Sequence, residues 1–322
     1  MSKNLKEYLD RVKRYFKLYK QFDTKHTVGI RNPMKKKPNV FTEKNKVLVS
    51  RVKETKNLQQ TIKKSIDVIG GLKKSFKKSD SVLLIPNYNS DDPFPASTDT
   101  KFLEAVIRIL WDFGIKNITF GNASGVHWLP TRRVFEKMGV LALAKKLNVK
   151  FSCFEEKDWV LVNLDSDVLN DVSFAREVFD YDKIIYLPCM KTHRRARFTM
   201  SLKLTMGLIC LKHRILNMHI SNIEEKIADL NKAVYPDLII MDARKIFVTG
   251  GPDEGKVKNF GIIYASGDRV AIDFVGLKDL LKYRNEDNLL DKPNPGDYIQ
   301  IKRAFKIKLG VKNKDLIKVV NA

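Results

Sequence analysis

Histidine and basic residues cluster in one short part of the chain. Three of the five histidines, His193, His213 and His219, lie within 27 residues. Lys191 and the arginines at 194–195 flank His193. A neutral imidazole acts as an acid or a base near neutral pH or binds a metal, and neighbouring cations lower the pKa of an imidazole. The pattern predicts an acid–base role for His193, whereas the other two are not at helical metal-ligand spacing.

Polar residues follow the ends of five predicted strands. They are, in chain order, Asn87, Gly121–Gly125, Lys191 with His193, Asp242 and Gly250–Gly255. Ligands of open parallel sheets bind outside the carboxyl ends of the strands. We therefore expect one concave pocket, with the Gly121–Gly125 backbone in its wall, surrounded by the side chains of Lys191, His193, Lys203 and Asp242.

Three of these features allow two interpretations each. Gly121–Gly125 forms a tight turn or presents N–H groups to an anion, and it matches neither GxGxxG nor the P-loop. Gly250–Gly255 is a turn or a loop that holds a ligand. Asp242 caps a neighbouring helix or holds a ligand group. His213 and His219 are site residues or surface residues of a basic loop.

From Lys46 onwards, short β-branched runs alternate with amphipathic helical periods. The predicted strands are 47–49, 81–85, 117–120, 160–162, 183–187, 238–241, 246–248 and 261–264. The predicted helices are 58–76, 100–113, 131–147, 223–234 and 271–281. This alternation predicts an α/β fold, mainly parallel with helices on both faces, built as two Rossmann-like lobes around a strand-end cleft. The residues expected to be buried in strands are Val82, Leu84, Ile118, Ile184, Ile239 and Ile262.

The first 45 residues are predicted to be a basic N-terminal appendage. Apolar residues recur at helical spacing between Leu5 and Tyr19, which predicts an amphipathic basic helix that packs on the body or lies on a membrane surface. A polar loop follows. Residues 46–322 form the predicted α/β core, with a division into two lobes near residues 190–220.

The positive charge is concentrated near the N-terminus. Residues 1–79 carry 23 Lys and Arg against 6 Asp and Glu, which accounts for most of the net charge of +23. This region either binds nucleic acid or an acidic surface, or reflects a lysine-rich composition without a partner. The sequence lacks an apolar stretch long enough to span a membrane and an N-terminal secretory signal, so we expect a cytoplasmic protein.

The cysteines predict neither a disulfide framework nor a metal cluster. The chain contains only Cys153, Cys189 and Cys210, and no CxxC pair. Three thiols are too few for a four-cysteine zinc or iron–sulfur site. We interpret them as buried free thiols.

Many short motifs occur in a characteristic order. They are Leu84–Asn87 with Thr98–Asp99, Gly121–Gly125, Leu187–Pro188 with Lys191–His193, Lys203 with Met206–Leu208, His219, Asp229–Leu230, Pro236–Leu238, Asp242, Gly250–Pro252 with Gly255, and Gly267–Asp268 with Asp273. In this order and spacing the sequence resembles the domain of unknown function 362 family, from about Lys46 to the C-terminus.

The resemblance implies a core fold but no defined reaction. The family has no settled activity, and many members are called iron–sulfur proteins because they carry a ferredoxin-like four-cysteine module, which this sequence lacks. The sequence also departs from the family pattern at Lys203–Leu204, where Asn usually follows the Lys, and at Gly121–Asn122, where Asp is more usual. The loss of that Asp removes a negative charge and implies an altered substrate preference.

The predicted function is to bind or act on a small anionic molecule, a carboxylate or a phosphate ester. The predicted catalytic residues are Lys191, His193 and Asp242. The predicted ligand-binding residues are Asn87, Gly121, Asn122, Ser124, Gly125, Lys203, His219 and Gly251.

Three other functions stay open. The first is chemistry that depends on a metal or redox cofactor, with His193, His219 and Asp242 as the candidate metal ligands. The sequence does not determine the cofactor. The second is non-catalytic binding of nucleic acid or a membrane surface through residues 1–79. The third rests on fold-level analogy with two-domain α/β enzymes of the lactate racemase type, which set Lys and His around a cofactor.

Overall fold

The computed structural model describes residues 27–125, 129–218 and 221–322. The strands in these ranges are β1 (Thr27–Arg31), β2 (Thr42–Glu43), β3 (Lys46–Lys53), β4 (Val82–Pro86), β5 (Ile118–Asn122), β6 (Lys150–Cys153), β7 (Trp159–Val162), β8 (Val172–Ala175), β9 (Lys183–Leu187), β10 (Cys189–His193), β11 (Arg197–Thr199), β12 (Leu238–Phe247), β13 (Val257–Ser266) and β14 (Ile317–Asn321). The α-helices are α1 (Leu58–Asp67), α2 (Thr100–Phe113), α3 (Thr131–Lys137), α4 (Val140–Leu147), α5 (Ser201–Leu204), α6 (Leu211–His213), α7 (Ile223–Leu230), α8 (Arg269–Leu280) and α9 (Ile299–Lys306). None of the helices in the described ranges is long and apolar enough to cross a membrane.

One large sheet organises the molecule. Its strands follow the order β14-β3-β13-β12-β9-β4-β5-β6, with β2, β10 and β11 attached beside this path. The run from β12 to β6 is parallel, and β13 pairs antiparallel with both of its neighbours. The predicted fold class, a mainly parallel α/β protein, is confirmed. Strands from both sides of residues 190–220 join this sheet, and the division into two lobes there stays a prediction.

The apolar core lies on both faces of the sheet. Along β4, Leu83 and Ile85 face one core cluster and Val82 and Leu84 face the other, as the alternation of side chains in a strand requires. The six residues expected to be buried in strands are all buried there, at 5% exposure or less: Val82, Leu84, Ile118, Ile184, Ile239 and Ile262. The sheet therefore supplies a rigid frame whose strand ends can hold a site.

Several predicted helices end earlier in the structure, such as the one predicted over 58–76, which ends at Asp67, and two predicted regions differ in the number of elements. The helix predicted over residues 131–147 is two helices, because Gly139 adopts a left-handed backbone conformation (φ 72°) between them. The two strands predicted over 238–241 and 246–248 are the single strand β12, whose register shifts between Ala243 and Lys245. A local irregularity that re-aims a strand leaves little trace in the hydrophobic pattern.

Residues 27–45 contact the rest of the molecule. Strand β1 pairs with β7 in a separate three-stranded sheet, β1-β7-β8. The Met34 N–H donates to the Ala233 carbonyl at 2.9 Å, and Phe41 is fully buried in the core. The predicted amphipathic helix lies within residues 1–26, outside the described residues. The division at residue 45 stays a prediction, although these contacts place residues 27–45 against the core.

Candidate functional site

A small cavity lies at the carboxyl ends of three neighbouring strands. Asn87 follows β4, Asn122 ends β5, and Cys189 begins β10 immediately after β9. Lys191 on β10 and Lys203 on α5 complete the polar lining. The cavity volume is about 40 Å³, several times the minimum that one water molecule needs. The fold thus brings four predicted site residues together: Asn87, Asn122, Lys191 and Lys203.

Lys191 is held rigidly in the wall of this cavity. Strand β10 pairs with β11 and β12 and is buried along its whole length, and Lys191 is only 2% exposed. The Lys191 ammonium donates to the Ala96 carbonyl, which also accepts from Asn87 Nδ2 at 3.1 Å. Burial lowers the pKa of Lys191 to about 8. A buried lysine with one neutral acceptor is an incompletely compensated cation.

Lys203 is positioned by a buried carboxylate. Asp273, on α8, accepts hydrogen bonds from the backbone N–H groups of Ser201 and Leu202, each at 2.9 Å, and so fixes the first turn of α5. The Lys203 ammonium forms no hydrogen bond or ion pair with any described residue. Burial, and then the charges of Lys191 and Arg214, lower the pKa of Lys203 to about 7.

Asn122 adds an unpaired acceptor to the same cavity. Its Nδ2 donates to the Pro86 carbonyl at 2.6 Å, which fixes the orientation of the amide. Its buried Oδ1 receives no hydrogen bond from the described residues. A buried acceptor without a donor costs free energy, so its presence beside two lysines points to a ligand that donates a hydrogen bond.

Cys189 is a cavity residue that the sequence analysis did not select. Its thiol is buried, and burial raises its pKa to about 11, opposed by Lys191 and by hydrogen bonds from Asn87 and Thr98. Alternation along an extended strand places residues two apart on the same side. Cys189 precedes Lys191 by two positions, and that spacing was the available signal.

Three backbone N–H groups of the Gly121–Gly125 segment donate hydrogen bonds to acceptors of the protein itself. The Ala123 N–H donates to the Gly207 carbonyl at 2.9 Å, and the Gly125 N–H donates to the Asn89 carbonyl at 3.0 Å. The Ser124 N–H donates to Thr131 Oγ1 at 2.6 Å. Gly121 itself lies inside β5. These contacts support the turn interpretation of the segment, and Ala123 alone of its loop residues lines the cavity.

His193 lies at the end of β10, outside the cavity lining. Its side chain is buried, and its Nδ1 accepts the backbone N–H groups of Arg195 and Ala196 at 3.1 and 3.2 Å. These bonds hold the turn between β10 and β11. The expected gathering of four side chains around one pocket therefore holds for the two lysines and not for His193.

Asp242 also lies outside the cavity lining. Its buried carboxylate binds the Arg244 side chain at 2.7 and 3.0 Å, and Arg244 reaches on to Asp99 at 2.8 Å. Burial raises the pKa of Asp242, opposed by Arg244. In this structure Asp242 orients a cation, Arg244, at the N-terminus of α2. The sequence analysis did not select Arg244, which lies at the register shift of β12 between Ala243 and Lys245.

The remaining predicted residues have separate positions. Gly251 lies against β10, where its carbonyl accepts the Arg194 N–H at 3.3 Å, while the adjacent Pro252 lines the cavity. His213 accepts the Ser173 N–H at 2.9 Å, and burial lowers its pKa to about 4. His219 lies outside the described residues. Among the residues that are described, no three His, Cys, Asp or Glu side chains converge as a metal site.

The chain matches a family of proteins without an assigned activity. The sequence model described as "Domain of unknown function (DUF362)" matches residues 82–278, more than half of the chain. The chain belongs to this family. The matched region contains every cavity residue discussed above, so the cavity lies inside the DUF362 domain.

One curated relative and two solved structures are similar to this DUF362 protein. A thylakoid-associated protein of Synechocystis sp. is 27% identical over 248 residues, 73% of this chain and 74% of that protein. The lactate racemase apoprotein of Thermoanaerobacterium thermosaccharolyticum is 10% identical with a TM-score of 0.37, over 64% of this chain and 52% of that one. A Thermotoga maritima protein is 13% identical with a TM-score of 0.40, over 72% and 59%. The chain thus spans between half and three fifths of the two solved structures.

Proposed function

We propose that the cavity binds a small carboxylate or phosphate ester and that Lys203 is its acid–base group. The observation that carries the proposal is the meeting of two lysines, the buried Lys191 and the partly buried Lys203, in one cavity whose described lining contains no Asp or Glu. An anion bound between the two lysines would supply the negative charge that no side chain of the lining provides. The small volume favours a ligand whose anionic group enters the cavity.

The two lysines have different surroundings and therefore different roles. Lys191 keeps one hydrogen bond, to Ala96, and serves as the fixed anion-binding cation. Lys203 has the lower pKa, about 7, so near neutral pH its amine exists in both protonation states. Burial that brings a lysine pKa close to the working pH is what general acid–base catalysis requires. The neutral fraction of Lys203 would take the proton on the carbon next to the carboxylate, and the resulting ammonium would return a proton to that carbon. Asn122 Oδ1 would accept a hydrogen bond from the bound molecule.

The catalytic role predicted for His193 stays a prediction. Its Nδ1 is occupied by two backbone donors, and the cavity is lined by Lys203 instead. The proposal therefore assigns the proton-transfer role to Lys203. Asp242 is assigned the positioning of Arg244, and Cys189 is a cavity thiol within the reach of the bound molecule.

Calorimetric titration with sulfate tests the binding part of this proposal. Sulfate is a dianion throughout the neutral range, so its own titration does not confuse the result. Lys203→Met should abolish detectable binding, whereas Lys203→Arg should retain part of it because the charge is kept. Lys145→Met, which removes an exposed lysine of α4, is the matched control and should bind as the unchanged protein does. Equal binding by Lys203→Met and the unchanged protein would remove the basis of the proposal.

Proton transfer is tested separately in deuterium oxide. Small 2-hydroxy and 2-amino carboxylates would be incubated with the protein, and exchange of the proton next to the carboxylate would be followed by NMR. Exchange that requires Lys203 and survives in Lys145→Met supports an enzyme. Sulfate binding without exchange of any compound would leave a binding protein and contradict the acid–base assignment for this class of substrate.

A further inference from the structure

A second concave site lies at the amino ends of the strands of the large sheet, on the side opposite the cavity described above. We call it the amino-edge cleft and the first site the carboxyl-edge cavity. The walls of the amino-edge cleft include Lys183 at the start of β9, Asp237 just before β12 and Val47 at the start of β3. The cavity described above begins where β9 ends, about 16 Å away for a five-residue strand. The volume of this amino-edge cleft is about 640 Å³, within the range of small-molecule sites.

The amino-edge cleft carries an excess of positive charge. Six cationic residues line it against two carboxylates, Asp237 and Asp268. The cationic residues are Lys36, Lys37, Lys74, Lys183, Lys312 and Arg269. This charge is confined to a concave surface formed by segments from both ends of the chain, so it is not a property of the N-terminal region alone.

The two carboxylates are already engaged. Asp237 pairs with Lys183 at 3.1 Å and with Lys37 at 3.4 Å, and its other oxygen accepts the Ile184 N–H at 3.0 Å. Asp268 caps α8 by accepting the N–H groups of residues 270 and 271 at 2.8 and 3.0 Å. Neither carboxylate forms an ion pair with another cationic residue of the cleft among the described residues.

Four cationic residues of the cleft form no ion pair with any described carboxylate. Arg269 is buried; its guanidinium donates to the oxygens of Asn231 and the carbonyl of Val234 and lies over the rings of Tyr186 and Tyr235. Lys36 donates to a carbonyl, that of Lys308, at 2.7 Å. Lys74 and Lys312 form neither a hydrogen bond nor an ion pair with any described residue.

A buried donor adds an independent indication of the ligand. The Nδ2 atom of Asn39, which lines the cleft, is buried and has no acceptor among the described residues. Its Oδ1 is occupied by the Phe41 N–H at 2.9 Å, so the orientation of the amide is fixed. The cleft therefore offers cations together with a neutral donor, which is the composition that phosphate oxygens prefer.

We infer that the amino-edge cleft binds a small molecule that carries two or three linked phosphate groups. A single phosphate would satisfy too few of the four cations, and linked phosphates extend along a cleft of this size. Duplex nucleic acid and membranes present many phosphates over an extended surface, whereas these cations line one cleft of about 640 Å³, a size typical of small-molecule sites. The inference is independent of the function proposed for the carboxyl-edge cavity.

Isothermal titration of the full chain with inorganic tripolyphosphate, in physiological salt, tests the inference. The unchanged protein should bind, and the double variant Lys74→Gln with Lys312→Gln should bind roughly tenfold more weakly, because two unpaired charges are lost. Restoring charge with Lys74→Arg and Lys312→Arg should recover binding. Lys116→Gln, an exposed lysine outside the cleft, and Lys203→Met, in the carboxyl-edge cavity, should leave the affinity unchanged.

Two results would overturn the inference. One is the absence of tripolyphosphate binding, or an equal loss in Lys116→Gln, because either would show that the cleft has no specific role. The other is binding of a single-stranded oligonucleotide that depends on Lys74 and Lys312 when tripolyphosphate neither binds nor competes. That result would assign this face to a nucleic acid.

Discussion

The two edges of the large sheet place lysines in opposite physical situations. At the carboxyl edge, Lys191 and Lys203 line a cavity of about 40 Å³, where Lys191 is buried and Lys203 is partly buried. At the amino edge, Lys74 and Lys312 line a cleft of about 640 Å³ and remain exposed. Removal from water lowers the pKa of a lysine, and exposure preserves its charge. The first edge is therefore suited to moving a proton, and the second to holding a multiply charged anion.

The largest expected effect concerns the wall of the amino-edge cleft. Phe41→Ala removes a fully buried ring beside Asn39 and should lower the free energy of unfolding by about 4 kcal/mol, measured by denaturant titration. Ile30→Ala, in the same N-terminal segment but 81% exposed, should cost less than about 0.5 kcal/mol. Tripolyphosphate binding should weaken in Phe41→Ala, whereas sulfate binding should not. Loss of sulfate binding instead would show that the two edges are not independent.

A second substitution acts on the other edge. Asp273→Ala leaves the backbone N–H groups of Ser201 and Leu202 without their acceptor, which should cost about 3 kcal/mol of unfolding free energy. Asp67→Ala, which breaks an exposed pair with Lys63, should cost less than about 0.5 kcal/mol. Because Asp273 fixes the helix that carries Lys203, sulfate binding should weaken in Asp273→Ala. Unchanged sulfate affinity would mean that Asp273 does not position Lys203.

A smaller effect is the response of the carboxyl-edge cavity to pH. The pKa values of Lys203 and Lys191, about 7 and 8 without a ligand, lie below the ordinary lysine value because burial disfavours their charge. An anion binds the protonated forms, so binding takes up protons and the affinity falls as pH rises through this interval. Sulfate affinity should decrease roughly tenfold from pH 7 to pH 8. A flat profile would show that neither lysine titrates there.

The sequence predicted the frame better than the contacts within the site. Apolar runs were sufficient to locate β4, β5 and β9, and the carboxyl-end rule then brought Asn87, Asn122 and Lys191 to one edge. Lys203, on α5, was selected through the family resemblance. The positions of His193 and Asp242 depend on local hydrogen bonds, to the turn at Arg195 and to Arg244. Periodicity does not encode such bonds, because they depend on the path of the chain after the strand ends.

The amino-edge cleft was not predictable by the same rule. Its lysines lie at the start of β9, in the segment before β3 and in the connecting segments at Lys74 and Lys312, where the carboxyl-end rule predicts no ligand site. The count of basic residues up to residue 79 gave the charge but not its arrangement, because Lys183, Arg269 and Lys312 join it only through the fold. Charge counted along a sequence therefore identified neither the concavity nor its carboxylate partners.

The titration of Lys203 tests the central claim most directly. The protein would be labelled with ¹³C and ¹⁵N in lysine, the Lys203 signal assigned by its loss in Lys203→Arg, and its chemical shift followed from pH 5 to pH 11 with and without sulfate. A midpoint near pH 7 that moves to higher pH with sulfate is the predicted result, since the anion stabilises the ammonium. A midpoint at the ordinary value of 10.5, unchanged by sulfate, would contradict the account.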